Sequence, residues 1–358
     1  MLSAKPQHSH HRWLRLRTFG DVPTLRSGQG AAVVAGSVYI FGGCDAVMQN
    51  DIYRFDVDTH EWCAVTCDDG PSPRAAFGMC SGPGQYDFTV ACGCGLGERS
   101  AQSDIWSFDV RRRRWRKLFE SPRAAYGVSI CWHGSTLLLW GGTSGVEYYA
   151  SLYAFTLHTG SIVRVNTSGC GPSKRYKHVS FVYGNDMYVC GGGTFSPTER
   201  SMGMHKLNLT TLVWQRLGDD REGVSIGRTA CTCCFDVESS KAWVFGGFDS
   251  DAKRLQAFQT FDVVSNAWAE VGGVKAETSP APRAFHSMVL CRGALFMFLG
   301  ADGNVCYDDV WRYSIRSTPP PLQHLATRAF LTLPGGECPH GVPGEMRTLI
   351  DAVKQSRS

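Results

Sequence analysis

Six arginines recur along the chain at near-constant spacing: Arg26, Arg74, Arg123, Arg175, Arg228 and Arg283, with steps of 48, 49, 52, 53 and 55 residues. Close behind them stand Phe77, Tyr126, Tyr176, His178 and His286. A guanidinium presents a planar fork of donors that grips a carboxylate through two bonds and stacks on aromatic faces. Arginine and aromatic side chains also dominate protein-binding hot spots. The set therefore predicts a cradle for a protein or peptide partner carrying acidic groups. A structural alternative stays open, because an arginine recurring once per repeat can equally bridge neighbouring units or satisfy backbone carbonyls.

Other reactive residue types give weaker patterns. Arg111 to Arg114, with Arg116 and Lys117, form the densest basic cluster. It reads as a solvated turn, with a phosphate patch or a localisation signal as the alternative. Cys231, Cys233 and Cys234 lie in an apolar β-like run where alternate residues face opposite ways, so core packing is expected and a metal site is not. His8, His10 and His11 read as a solvated tail. No Gly-rich phosphate loop, G-x-S-x-G elbow or H-E-x-x-H is present. No catalytic residue, cofactor or metal is expected, and the chain reads as non-enzymatic.

These residues must be positioned by something, and the totals bound what it is. The 358 residues are 43% hydrophobic and 19% charged, an ordinary globular balance. Net charge is only +4, which gives no general argument for nucleic acid or membrane binding, and no nucleic acid partner is expected. No run of 18 apolar residues is present, so no membrane span is expected. The 15 cysteines, an odd count behind a polar N-terminus without an apolar signal core, suggest a reducing, cytoplasmic or nuclear setting. The 40 glycines point to many tight turns.

The repeat organises everything else. Four hydrophobic runs end in a glycine pair, at Gly42-Gly43, Gly141-Gly142, Gly191-Gly192 and Gly246-Gly247, with degenerate copies at Gly93 and Gly300. Each is followed by a polar loop, an aromatic strand such as NDIYRFDV or SDIWSFDV, and a tryptophan: Trp62, Trp115, Trp214 or Trp268, with Ile162 standing in once. Units of about 50 residues allow four short strands each. In this phasing the chain resembles the kelch family over roughly residues 11 to 316.

That resemblance implies an all-β, six-bladed kelch β-propeller over residues 1–317. Blades are expected at about 26–70, 74–120, 123–168, 175–218, 228–272 and 283–317. The sixth unit lacks a fourth strand because Pro319, Pro320 and Pro321 forbid one directly afterwards. Residues 11–18, HRWLRLRT with Trp13, are expected to supply it and close the ring. The alternative is a three-stranded last blade with a disordered N-terminus. In antiparallel blades the second-to-third loops and the fourth-to-first connections emerge on one face, which carries the arginines. In kelch proteins that bind peptides, residues on that face make the contacts. A monomeric scaffold is the expectation. Metalloenzymes built on kelch propellers are a distant third reading, since the copper and iron motifs of such relatives are missing here.

Residues 318–358 stand outside the repeat and read as a short, partly helical tail. The tail resembles a suppressor-of-cytokine-signalling box, the elongin-binding module of cullin ubiquitin-ligase receptors. Leu322, Ala326 and Phe330 would take its first positions, and Val342 and Pro343 its later segment. Ala326 replaces the family's usual cysteine. The resemblance implies a second reading, a ligase substrate receptor with elongin and cullin as partners; the alternative is a plain tail or a helix packed on the propeller.

Overall fold

The computed structural model describes residues 12–67, 69–96, 101–197, 199, 201–217, 226–272 and 276–316. Six antiparallel sheets follow one another along the chain, and the described residues contain no helix beyond a single 3-10 turn. The strands are short and rich in β-branched and aromatic residues, so each suits a pleated, half-buried surface.

In blade 1 the order from the inside is Gly30–Val34, Ser37–Cys44, Met48–Phe55, Glu61–Val65. The same order recurs in blade 4 as Val179–Tyr183, Asp186–Cys190, Met204–Asn208 and Val213–Leu217. The inner strands touch in sequence, and that of blade 6, Ser287–Cys291, returns to that of blade 1. The sheets therefore close into a ring. Blades 1 and 4 each gain a two-residue parallel strand on the outer edge, Phe19–Gly20 and Ser168–Gly169. The repeat pattern does not foreshadow these.

Ring closure follows the expected route. Trp13–Leu16 pairs antiparallel with Val310–Ser314 of blade 6, placing Trp13 opposite Tyr313. Trp13 is buried and lies 5.6 and 5.2 Å, ring to ring, from Phe245 and Phe258 of blade 5. Three other outer-strand tryptophans do the same, whereas Trp268 packs on Phe261 of its own blade. Trp62 reaches back to Phe298, Trp115 to Phe41, and Trp214 to Trp140. Each thus seals the apolar layer between its own blade and the preceding one. Aromatic burial on this scale contributes much of the packing at these four interfaces.

The glycine pairs serve the same interfaces. The second glycine of a pair donates its N–H to the carbonyl of the next blade's arginine, as Gly43 does to Arg74 at 2.9 Å and Gly247 to Arg283 at 2.8 Å. The first glycine has positive φ, and a Cβ on Gly246 would stand 2.5 Å from the Arg283 carbonyl oxygen. Cys92 and Leu299 replace the first glycine in the two degenerate copies and adopt the same left-handed conformation, at φ 63° and 60°.

Candidate functional site

Five of the six arginines do not face outward. Arg26, Arg74, Arg175, Arg228 and Arg283 are each at most 1% exposed. Every one donates through Nη1 to the carbonyl of its own blade's first glycine-pair residue: Gly42, Cys92, Gly191, Gly246 and Leu299. Nε donates to the carbonyl two residues earlier in the chain, and the terminal nitrogens also meet a side chain from the third strand or its loop. Asp51, Asp104 and Asp309 receive two bonds each. In blade 4 the aspartate position is Gly203, and the space is filled by Glu199, 2.5 Å from Arg175. In blade 5, Gln259 takes the role. The expectation that these five arginines contact a partner therefore gives way, since their hydrogen bonds hold the face together from beneath.

Electrostatics agree with that role. Burial opposes ionisation of Asp309, but the hydrogen bonds and charge of Arg283 outweigh it and keep its pKa below the usual range. Burial likewise opposes ionisation of Glu199. Hydrogen bonds from His205 and Arg175 prevail and hold its pKa at about 2.

Arg123 is the exception, and the spacing misplaced it. The residue before each top-face bridge is Arg26, Arg74, Arg175, Arg228 or Arg283 in five blades but Ala125 in blade 3, where Tyr126 pairs with Thr143. Arg123 lies two residues ahead of the repeat position. It is exposed, and its guanidinium sits 4.8 Å from the Tyr149 ring centre. The acidic partner is missing as well, because Ser151 stands where blades 1, 2 and 6 have aspartate. The outer strand of blade 2 accordingly runs on to Ala125, past the expected end near residue 120.

Two residues after each arginine position the chains meet at the channel mouth. Gly28, Ala76, Gly127, Lys177, Ala230 and Phe285 form a closed ring of six backbone hydrogen bonds. Each N–H donates to the carbonyl of the member in the preceding blade, at 2.6 to 3.1 Å. All six have φ between 51° and 72°, a conformation that costs a non-glycine residue about 1–2 kcal/mol. Only Lys177 and Phe285 carry large side chains into this rim.

A basic and aromatic cluster is built on those two. Lys177 Nζ lies 4.2 Å from the Phe285 ring centre and 4.7 Å from that of Tyr176. Arg254 stacks on Phe248 at 4.9 Å and also approaches Phe285. Burial, then the nearby Arg254 charge, push the Lys177 pKa down to about 8. Among the described residues no carboxylate pairs with Lys177 or Arg254. Beside them Tyr176 contacts both Tyr126 and Tyr148 edge-on, and Tyr148 meets Phe195, which is 82% exposed. Within this cluster Phe195 is exposed, Phe248 is buried and the other members are half-buried.

The remaining expected site residues divide. Tyr126 and Tyr176 belong to the cluster. Phe77 packs edge-on against Phe41 at the interface of blades 1 and 2. His178 and His286 are buried between blades, with Nε2 at 2.7 Å from Ser129 Oγ and 3.0 Å from Thr232 Oγ1. Lys177, Arg254, Tyr148, Phe195 and Phe248 escaped the sequence reading. For Lys177 a signal exists: a charged residue two places after the arginine, where the aligned repeats have Gly28, Ala76, Ala230 and Phe285. Leu322, Ala326, Phe330, Val342 and Pro343 lie outside the described residues.

Among the described residues, no three His, Cys, Asp or Glu side chains gather as a metal site, and no helix is long and apolar enough to cross a membrane. Comparison with known proteins places this geometry. The chain is 27% identical over 292 residues to Kelch domain-containing protein 10 of Xenopus laevis, covering 74% of this chain and 68% of that protein. Human Kelch domain-containing protein 10 is 24% identical over 295 residues, with 74% of this chain and 63% of that one covered. Human Host cell factor 2 is 24% identical over 365 residues, covering 87% of this chain and 45% of its own length. Against the rat and mouse forms of Kelch domain-containing protein 10 the chain spans 54% and 50% of the relative. The family model for the KLHDC2/KLHL20/DRC7 Kelch-repeats domain matches residues 6–120, 93–225 and 221–323, and the chain belongs to the kelch-repeat family.

Proposed function

We propose that this propeller is a non-catalytic interaction scaffold that binds a protein or peptide partner carrying acidic groups on its arginine-bearing face. Lys177 and Arg254 would take the carboxylates, and the rings of Tyr126, Tyr148, Tyr176 and Phe195 the neighbouring side chains. The observation that carries this reading is a pair of cations, stacked on aromatic rings at the channel mouth and unmatched by any described carboxylate. Cations in that setting are partly desolvated before a partner arrives, so a carboxylate there gains more than at an open surface. The test is affinity purification with the wild-type chain and with Lys177→Glu/Arg254→Glu, both checked for an intact fold. Partners lost by the double variant assign the face; identical partner lists sink the reading.

The box-like pattern of Leu322, Ala326 and Phe330 supports a second reading, a ligase substrate receptor docking through its tail. Retention of elongin by the full chain, and its loss in Leu322→Asp, is the expected result. No retention rules this reading out without touching the first.

A further inference from the structure

The turn joining the third and fourth strands of blade 2 lies on the opposite face of the ring. It carries Arg111, Arg112, Arg113 and Arg114, followed by Arg116 and Lys117. With these six set aside, the chain has 30 basic against 32 acidic residues, so this one hairpin holds all of the net positive charge. The turn itself does not require arginine. The positions equivalent to Arg111–Arg113 are Asp58-Thr59-His60 in blade 1, His158-Thr159-Gly160 in blade 3, Thr210-Thr211-Leu212 in blade 4 and Val264-Ser265-Asn266 in blade 5. Its shape comes from Asp109, whose Oδ1 accepts the backbone N–H groups of Arg111 and Arg112 at 2.9 Å each. Gathering like charges on a tight turn works against folding, and the ion pairs Arg112–Asp109 and Lys117–Glu120 offset only part of it.

Three of the six side chains have partners within the fold. The Arg111 guanidinium carbon lies over the Tyr86 ring, 3.2 Å from its centre. Arg112 pairs with Asp109 and Lys117 with Glu120. Arg111, Arg113, Arg114 and Arg116 have no such ion pair among the described residues. Beside the hairpin lies a groove of about 650 Å³, whose lining includes Tyr86, Trp115, Arg112, Arg114 and Arg116 together with Asp87 and Asp109. Asp87 accepts from Ser107 and Asp109 caps the turn, and the three arginines of the lining outnumber these two carboxylates.

We infer that this hairpin is a second docking surface, and that it takes a short Asp/Glu-rich segment of a protein partner. The extent of the charge selects that occupant. A nucleic acid backbone needs a basic track over several successive phosphates. The patch instead ends at the neighbouring blade, whose turn carries Asp56, Asp58 and Glu61. A few forked guanidiniums on one rigid hairpin suit a few carboxylates. With the opposite face engaged separately, the propeller would hold two partners at once.

The experiment uses the full chain and a fluorescein-labelled peptide of six consecutive glutamates at 50 mM and 300 mM salt. Arg114→Glu/Arg116→Glu is expected to weaken binding at least tenfold at low salt. Arg114→Lys/Arg116→Lys should retain part of it, and Arg164→Glu, on the exposed outer strand of blade 3, should change it less than twofold. Both arginines are exposed and outside the blade interfaces, so an unchanged melting temperature should accompany the loss. Should the glutamate variant fail to fold, Arg114→Gln/Arg116→Gln replaces it. Equal binding by wild type and variant overturns the inference, as does no binding at 50 mM salt. Tighter binding of a 20-nucleotide single strand than of the peptide also overturns it and assigns the surface to nucleic acid.

Discussion

Arg283 and Asp309 form a two-bond fork of 2.6 and 2.9 Å beneath the propeller's arginine-bearing face, with the arginine 0% exposed. Arg283 also holds the Leu299 carbonyl, and its own carbonyl accepts from Gly247 of the preceding blade. One residue therefore links the third strand, the glycine corner and the neighbouring blade. Breaking such a buried pair leaves an uncompensated charge and costs about 3–5 kcal/mol. Arg283→Ala and Arg74→Ala are expected to lose stability in that range in urea unfolding. Arg123→Ala, with an exposed guanidinium, should stay within about 0.5 kcal/mol of wild type. Similar losses at all three positions would contradict the assignment.

Trp13 predicts a dependence on the N-terminal strand. Truncating a buried tryptophan costs about 3–5 kcal/mol. Trp13→Ala is expected to destabilise by that amount, and removal of residues 1–19 by at least as much, since blade 6 then keeps three strands. A melting temperature unchanged by the deletion would show that closure does not depend on this strand.

Two glycines separate backbone conformation from close approach. Gly160 and Gly246 have nearly equal φ, 65° and 66°, but a Cβ on Gly160 meets nothing within 4 Å. Gly160→Ala should therefore cost only the left-handed penalty, about 1–2 kcal/mol. Gly246→Ala must also displace the Arg283 carbonyl and should cost clearly more. Equal losses in thermal unfolding would mean that the blade contact yields easily.

The buried histidines set a pH window. Burial, then the Arg175 charge, lower the His178 pKa to about 3, and burial drives His286 well below its ordinary value. The unfolded chain then binds more protons than the folded one once pH falls below about 6.5. Their contribution is complete above that pH and is lost as pH falls towards the folded values, by up to about 1.4 kcal/mol per pH unit for each histidine. The paired carboxylates act lower, below about pH 4. Denaturation midpoints between pH 6.5 and 4.5 should fall, and fall less steeply in His178→Gln. A flat profile across that window would count against both histidines being buried and neutral.

Lys177 predicts the opposite limb for binding. With its pKa pushed down to about 8, its charge is lost as pH rises through that value. Affinity for an acidic partner at this face should decline between pH 7 and 9, and Lys177→Arg should remove the decline. Titration of an identified partner checks this, and a decline that persists in the arginine variant would point to another group.

The repeat determined most of the architecture by itself. Glycine pairs, aromatic third strands and outer tryptophans are local requirements of a four-stranded blade, so they are written once per unit and read directly. The missing fourth strand of blade 6 and the spare Trp13 segment were equally visible, because a propeller must close. The site was less legible. An arginine that binds a partner and one that binds a backbone carbonyl have the same spacing, and only burial separates them. Blade 3 shows the limit: Arg123 matches the period in number, but the bridge at Tyr126 assigns the position to Ala125. Lys177 and Arg254 are 77 residues apart and belong to different repeats, and only the closed ring brings both against Phe285. Periodicity reports what each unit needs to fold. The tertiary structure decides which side chains are left over to meet something else.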